Sequence, residues 1–152
     1  MGANLTGVWE WVLEAYAQEG APEACQALQD RHGQNTSFLL WAVWAETADP
    51  ALLAQGADVA RRWDELALQP IRAVRRALKP PFGGVADDAR EGLREDVKAA
   101  ELRAERVLME ALAAITPRQG GAPALAALEA AAAAWGRPAP DEALAALAAA
   151  LG

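Results

Sequence analysis

The sequence predicts an all-helical fold, and three observations lead there. Apolar residues recur at three- and four-residue spacing through most of the chain, alanine is abundant, and no β-branched alternating run exists that would suit a half-buried strand. At 152 residues the chain has the size of one domain, with core enough to fold without disulfides or a structural metal. The expected architecture is a compact bundle of about five to six helices around a central apolar helix, residues 1–117, followed by an alanine-rich helical extension, residues 118–152.

Val8, Trp11, Val12, Ala15 and Tyr16 share one helical face, so residues near 5 to 18 read as a first amphipathic helix that Gly20 ends. Pro22 suits the first turn of a second helix, which buries Leu28 and stops at Gly33, a left-handed cap after His32. Asn35, Thr36 or Ser37 caps a third helix, SFLLWAVWAE, whose bulky residues point in nearly every direction; a helix apolar all round must be central. Asp49-Pro50 then opens a short helical turn that Gly56 closes. A longer helix spans about Ala57 to Leu78, kinked or split at Pro70, which lacks a backbone donor and clashes with the preceding turn.

Lys79 to Gly84, with two prolines and two glycines, breaks the chain. Asp87 or Asp88 caps the next helix, in which Leu93, Val97, Ala100, Ala104, Val107, Leu108, Ala111, Leu112 and Ile115 keep register for about seven turns. Thr116-Pro117 stops it, and a linker from Arg118 to Pro123 leads to two alanine-rich helices divided by Gly136 to Pro140. The sequence leaves open whether this tail packs on the bundle or stands apart.

Composition excludes several classes. The lone Cys25 permits neither an intramolecular disulfide nor a cysteine zinc site, which fits a reducing, cytoplasmic setting. The opening residues lack a basic region and carry Glu10 and Glu14, against a secretory or mitochondrial leader, and no apolar run approaches a bilayer span. Met1 to Thr6 fits the loose acylation pattern but reads as an ordinary start. A net charge of -7 disfavours nucleic acid and anionic membranes as partners. The charge is uneven, however: residues 1–56 hold seven acids and one base, and residues 57–79 hold six bases and three acids.

That basic segment supplies the main candidate surface. Arg72, Arg75, Arg76 and Lys79 fall on one helical stripe, where like charges repel unless something acidic compensates. The compensation is either Glu101 and Glu105 on the next helix, an antiparallel neighbour, or an external phosphate or acidic partner. Cys25, Gln29 and His32 share a helical face beside Asp30, but seven residues of rise, roughly 10.5 Å, keep the thiol and imidazole from forming a catalytic pair. With one histidine, a ferritin-like di-iron centre is excluded. Six tryptophans serve the core for the most part, although Trp9 and Trp63, the latter beside Arg61 and Arg62, suit a groove or an arginine stack. Catalytic serine, phosphate-loop, dinucleotide and zinc-protease motifs are absent, so no catalytic residue, metal or cofactor is assigned.

The blocks EACQALQDRHGQNTSFLLWAVWA, WDELALQPIRAVRRALK and KAAELRAERVLMEAL, in that order and spacing, resemble an uncharacterised family of short proteobacterial proteins known only as a domain of unknown function. The likeness spans roughly residues 7 to 115, implies a compact helical protein and transfers no mechanism. The expectation is a non-catalytic interaction or regulatory module that presents a helical groove or the arginine stripe to a protein partner. The alternative is a small anionic ligand, or an enzyme site, in a cleft among Gln29, His32, Arg72, Arg76, Glu101 and Glu105. Oligomeric state is open.

Overall fold

A computed structural model describes residues 7–116 and 120–152. The acylation pattern at Met1 to Thr6 and the helix stop at Pro117 therefore lie outside the described residues, as do the first two linker positions. Among the described residues every regular element is helical: α1 (Val8–Tyr16), α2 (Ala21–His32), α3 (Thr36–Trp44), α4 (Pro50–Trp63), a π-helical turn (Asp64–Leu68), α5 (Gln69–Ala77), α6 (Asp87–Ala114), α7 (Ala124–Trp135) and α8 (Asp141–Leu151).

The central helix is α3, in which every residue except Val43 is buried. Asn35 is its cap: the Phe38 backbone N–H donates to Asn35 Oδ1 at 3.0 Å, which satisfies one of the donors a helix start leaves open. Helix α2 ends as its sequence predicts, at Gly33 with φ 62°, and the Gln34 N–H closes the turn on the Leu28 carbonyl at 3.1 Å. Trp41 is fully enclosed, and its indole N–H donates to Thr116 Oγ1 at 2.8 Å, tying the core to the far end of α6.

Three sequence expectations are corrected. Gly56 does not close a short turn; it lies inside α4, which runs unbroken from Pro50 to Trp63. A Cβ there would sit 2.5 Å from Trp41 Cζ3, so the glycine exists for close packing rather than for termination. At Pro70 the α-helix is divided as expected: a π turn, Asp64–Leu68, separates α4 from α5, with the Gln69 N–H bonding the Asp64 carbonyl five residues back. The cap of α6 is Ala86, with no side-chain bond, while Asp87 and Asp88 fall in the first turn, where carboxylates favour the helix dipole. Helix α6 has the expected length, but its buried line is Ala104, Leu108, Met109 and Leu112; Leu93 and Val107 of the expected apolar face are exposed.

The alanine-rich segment packs on the bundle. Leu128, Ala127 and Ala131 of α7 and Leu144 and Leu147 of α8 are buried in the same cluster as Phe38, Leu40 and Trp41. Small alanine faces let α7 approach α3 closely, and the Gly120 and Ala122 N–H groups bond the Ala45 and Glu46 carbonyls at 2.9 and 2.8 Å. At its end, Trp135 meets Phe38 at 5.7 Å and donates its indole N–H to the Gly33 carbonyl at 2.8 Å.

Candidate functional site

The four-cation stripe divides between two faces of α5. Arg72 is buried, although guanidinium burial is costly without partners, and it finds three carboxylates: Glu101 at 3.1 Å, Glu105 at 3.6 Å and Asp64 at 3.7 Å. Arg75 donates to the other oxygen of Glu101 at 2.6 Å. Internal pairing thus accounts for Arg72 and Arg75, and Glu101 and Glu105 line none of the three cavities described next. Burial raises the Glu105 carboxyl above its ordinary range, Arg72 opposes the rise, and the neighbouring Glu101 charge adds to it. Arg94 pairs with Glu91 at 3.7 Å.

Arg76 and Lys79 have no carboxylate within ion-pair distance among the described residues. Together with Arg75 and Arg94 they line a cavity of about 330 Å³ that faces Gln26, Gln29 and Asp30 of α2. A second cavity of about 270 Å³ adjoins it through Gln29, Asp30 and Arg76, and adds Gln34, Asn35, Asp64, Gln69, Arg72 and Trp135. A third, about 330 Å³, continues past Trp135 to Arg61 and Arg137. The three form one groove between α2 and the α4–α5 helix. Its wall owes its chemistry to the π turn: the extra residue brings Asp64 and Gln69 to the groove, where Gln69 Nε2 donates to Asp64 Oδ2 at 3.0 Å.

Among the described residues, two buried side-chain polar atoms have no hydrogen-bond partner, Gln34 Oε1 and Arg94 Nε. Both residues line this groove, Gln34 in the middle cavity and Arg94 in the outer one. Buried polar groups are nearly always satisfied, so these two leave one acceptor and one donor on the groove to be met.

The groove therefore takes in Gln29, Asp30, Arg72, Arg75, Arg76 and Lys79 from the sequence-predicted set. His32 does not line it; it is half-buried at the last position of α2. Trp63 is also elsewhere, donating its indole N–H to the Ala104 carbonyl at 2.9 Å. The arginine stacks fall on other tryptophans: Arg61 lies 5.0 Å over Trp135, and Arg106 lies 6.0 Å over Trp9. Gln34 and Trp135 carried no sequence signal, because one sits in a short inter-helix link and the other in an alanine-rich run 101 residues away.

Nucleophilic chemistry has no support around the groove. Cys25 is buried against Tyr16, and burial pushes its thiol up to about 11, so it stays protonated near neutrality. Burial likewise raises the Tyr16 hydroxyl well above its ordinary range, with the Cys25 charge adding to it. No group of three or more His, Cys, Asp or Glu side chains is placed to hold a metal ion among the described residues, and no described helix is long and apolar enough to cross a membrane.

These features define a class: an all-helical bundle with a polar, cation-lined groove. Residues 7–112 match the family described as "Protein of unknown function (DUF2390)", and the chain belongs to that family. The match stops short of α7, so Trp135 and Arg137 lie beyond it. No curated protein and no solved structure matches the chain.

Proposed function

We propose that this protein is a non-catalytic, cytoplasmic binding module whose α2/α5 groove receives an anionic group. One observation supports this above others: Arg76 and Lys79, which have no carboxylate within ion-pair distance among the described residues, line one cavity together with Arg75 and Arg94, in a chain of net charge -7. Cations gathered against the overall sign of a protein repel one another, and an anion relieves that repulsion while arginine forks bind it bidentately. The orphaned Arg94 Nε gives the same cavity an unspent donor. The cytoplasmic placement rests on composition, a lone and buried thiol in an acidic chain.

The test is thermal unfolding in inorganic phosphate against sodium chloride at equal ionic strength. At ten times its dissociation constant the anion adds about 1.4 kcal/mol, a rise of roughly 3–6 °C for a domain of this size. Arg76→Glu with Lys79→Glu, both outside the buried ion pairs, abolishes the rise. If phosphate, sulfate and citrate all leave the midpoint where chloride leaves it, the reading is wrong.

A second reading, docking of a protein partner, draws on the α5–α6 end, where Phe82 is 68% exposed beside Val85 and Leu93 on an apolar hollow of about 340 Å³. Phe82→Asp abolishes co-purification of a partner held there and leaves phosphate binding intact; an unchanged partner set refutes it.

A further inference from the structure

We infer that the ligand of the groove is a small organic phosphate carrying hydrogen-bond-donating groups, a phosphorylated polyol or amine rather than a bare anion. The inference rests on the anion-binding reading above and adds the chemistry of the other half of the ligand.

The charge balance changes along the groove. The outer cavity holds two cations without an ion pair among the described residues, Arg76 and Lys79, beside Asp30, while Arg75 and Arg94 on its wall are paired to Glu101 and Glu91; a phosphate has oxygens enough to meet both unpaired cations. The middle cavity balances Arg72 and Arg76 with Asp30 and Asp64, and its remaining polar wall is amide: Gln29, Gln34, Asn35 and Gln69. Arg72 is already spent on Glu101 and Glu105. A second anion gains nothing there, whereas a neutral or ammonium group with protons to donate finds acceptors in Gln34 Oε1 and the two carboxylates; Asn35 and Gln29 already accept from Phe38 and Thr36.

Gln34 is the sharpest of these. It is 3% exposed, and its Nε2 donates to the Arg137 carbonyl at 3.0 Å, an acceptor that fixes which end of the amide is which. The unpaired atom is therefore the oxygen, and it asks for an N–H or O–H. Asp64 Oδ1 lies 3.7 Å from Arg72, so only Oδ2 is engaged at short range, by Gln69. Acceptors in the middle cavity and cations in the outer one are joined through Arg76, Gln29 and Asp30, which line both. One small molecule spanning that junction meets both sets.

The experiment is calorimetric titration of the full chain with inorganic phosphate, glucose, and three organic phosphates: glucose 6-phosphate, glycerol 3-phosphate and phosphoserine. One added hydrogen bond to a buried acceptor is worth about three- to tenfold in affinity. At least one organic phosphate binds more tightly than inorganic phosphate by that factor, and glucose alone does not bind measurably. Gln34→Leu reduces the preference toward unity while inorganic phosphate binds as before; Arg76→Glu weakens all phosphates together. If inorganic phosphate binds as well as all three organic phosphates, the donor subsite is overturned and the anion site stands. If none of the phosphates binds, both readings fail.

Discussion

Replacing Gly56 by alanine separates two accounts of that residue through its coupling to Trp41. A glycine that ends a helix in the left-handed region loses stability on becoming alanine whatever lies nearby, whereas inside α4, where the backbone is helical, alanine by itself gains about 1 kcal/mol and only the neighbouring ring can reverse that gain. In the structure the added Cβ meets Trp41 Cζ3 at 2.5 Å and Cη2 at 2.7 Å, with Phe38 Cε1 at 3.3 Å, against an ordinary carbon contact of roughly 3.5–4.0 Å. The indole has nowhere to go. It is fully buried, its N–H is bonded to Thr116 Oγ1 at 2.8 Å, and Phe38 stacks against it at 5.7 Å. Overpacking of this kind costs about 1–3 kcal/mol, and a ring held on three sides belongs at the upper end. Setting the helix gain against it leaves a net loss of about 2 kcal/mol, or roughly 4–8 °C in the unfolding midpoint.

Urea unfolding followed by tryptophan fluorescence and by circular dichroism measures the change. Trp41→Phe supplies a control, because phenylalanine lacks the two clashing ring atoms. In that background Gly56→Ala costs at least 1 kcal/mol less, a coupling expected only of residues in contact. Equal or greater stability of Gly56→Ala in the wild-type background would refute the packing argument.

Two further outcomes follow from the buried polar groups. Glu101→Gln leaves Arg72 and Arg75 without their shortest carboxylate contacts, while Arg72 keeps the longer ones to Asp64 and Glu105. The expected loss is about 2–3 kcal/mol at pH 7 by urea unfolding, and a loss below about 0.5 kcal/mol would mean that the pairs are no better than surface contacts. Cys25 ionises near 9 when exposed and near 11 when folded, so above pH 9 the unfolded chain releases its proton first. Stability is full below pH 9 and declines as pH rises toward 11, by about 2–3 kcal/mol from this group. Cys25→Ala removes the first part of that decline, from about pH 9, and leaves the Tyr16 share above pH 10; iodoacetamide at pH 8 modifies the wild-type thiol only after unfolding, and rapid labelling of the native protein contradicts the burial.

Much of the fold is written locally. The left-handed stop at Gly33, the Asn35 cap, the all-round apolarity of α3 and the length of α6 each depend on a few neighbouring residues, and periodicity or turn chemistry exposes them in the sequence. So does the basic stripe, since helical spacing alone places Arg72, Arg75, Arg76 and Lys79 together. Gly56 was misleading because its local meaning is overruled from a distance: a tryptophan from another helix fills the space over it.

The sequence by itself determined that this is an acidic, all-helical protein with a basic helix opposite an acidic one, and that no familiar catalytic motif is present. Only the tertiary structure decided which cations are spent. Burial forces Arg72 and Arg75 onto Glu101, whereas Arg76 and Lys79, one or a few positions along, turn toward α2 and keep their charge for the groove. It also decided that Gln34 and Trp135, 101 residues apart in the chain, line the same groove, with Trp135 bonded to Gly33 beside Gln34. Hydrophobic periodicity reports which face of a helix is buried, but not what lies across from it; that depends on how the alanine-smooth α7 seats against α3, a contact between segments with no local signature in either.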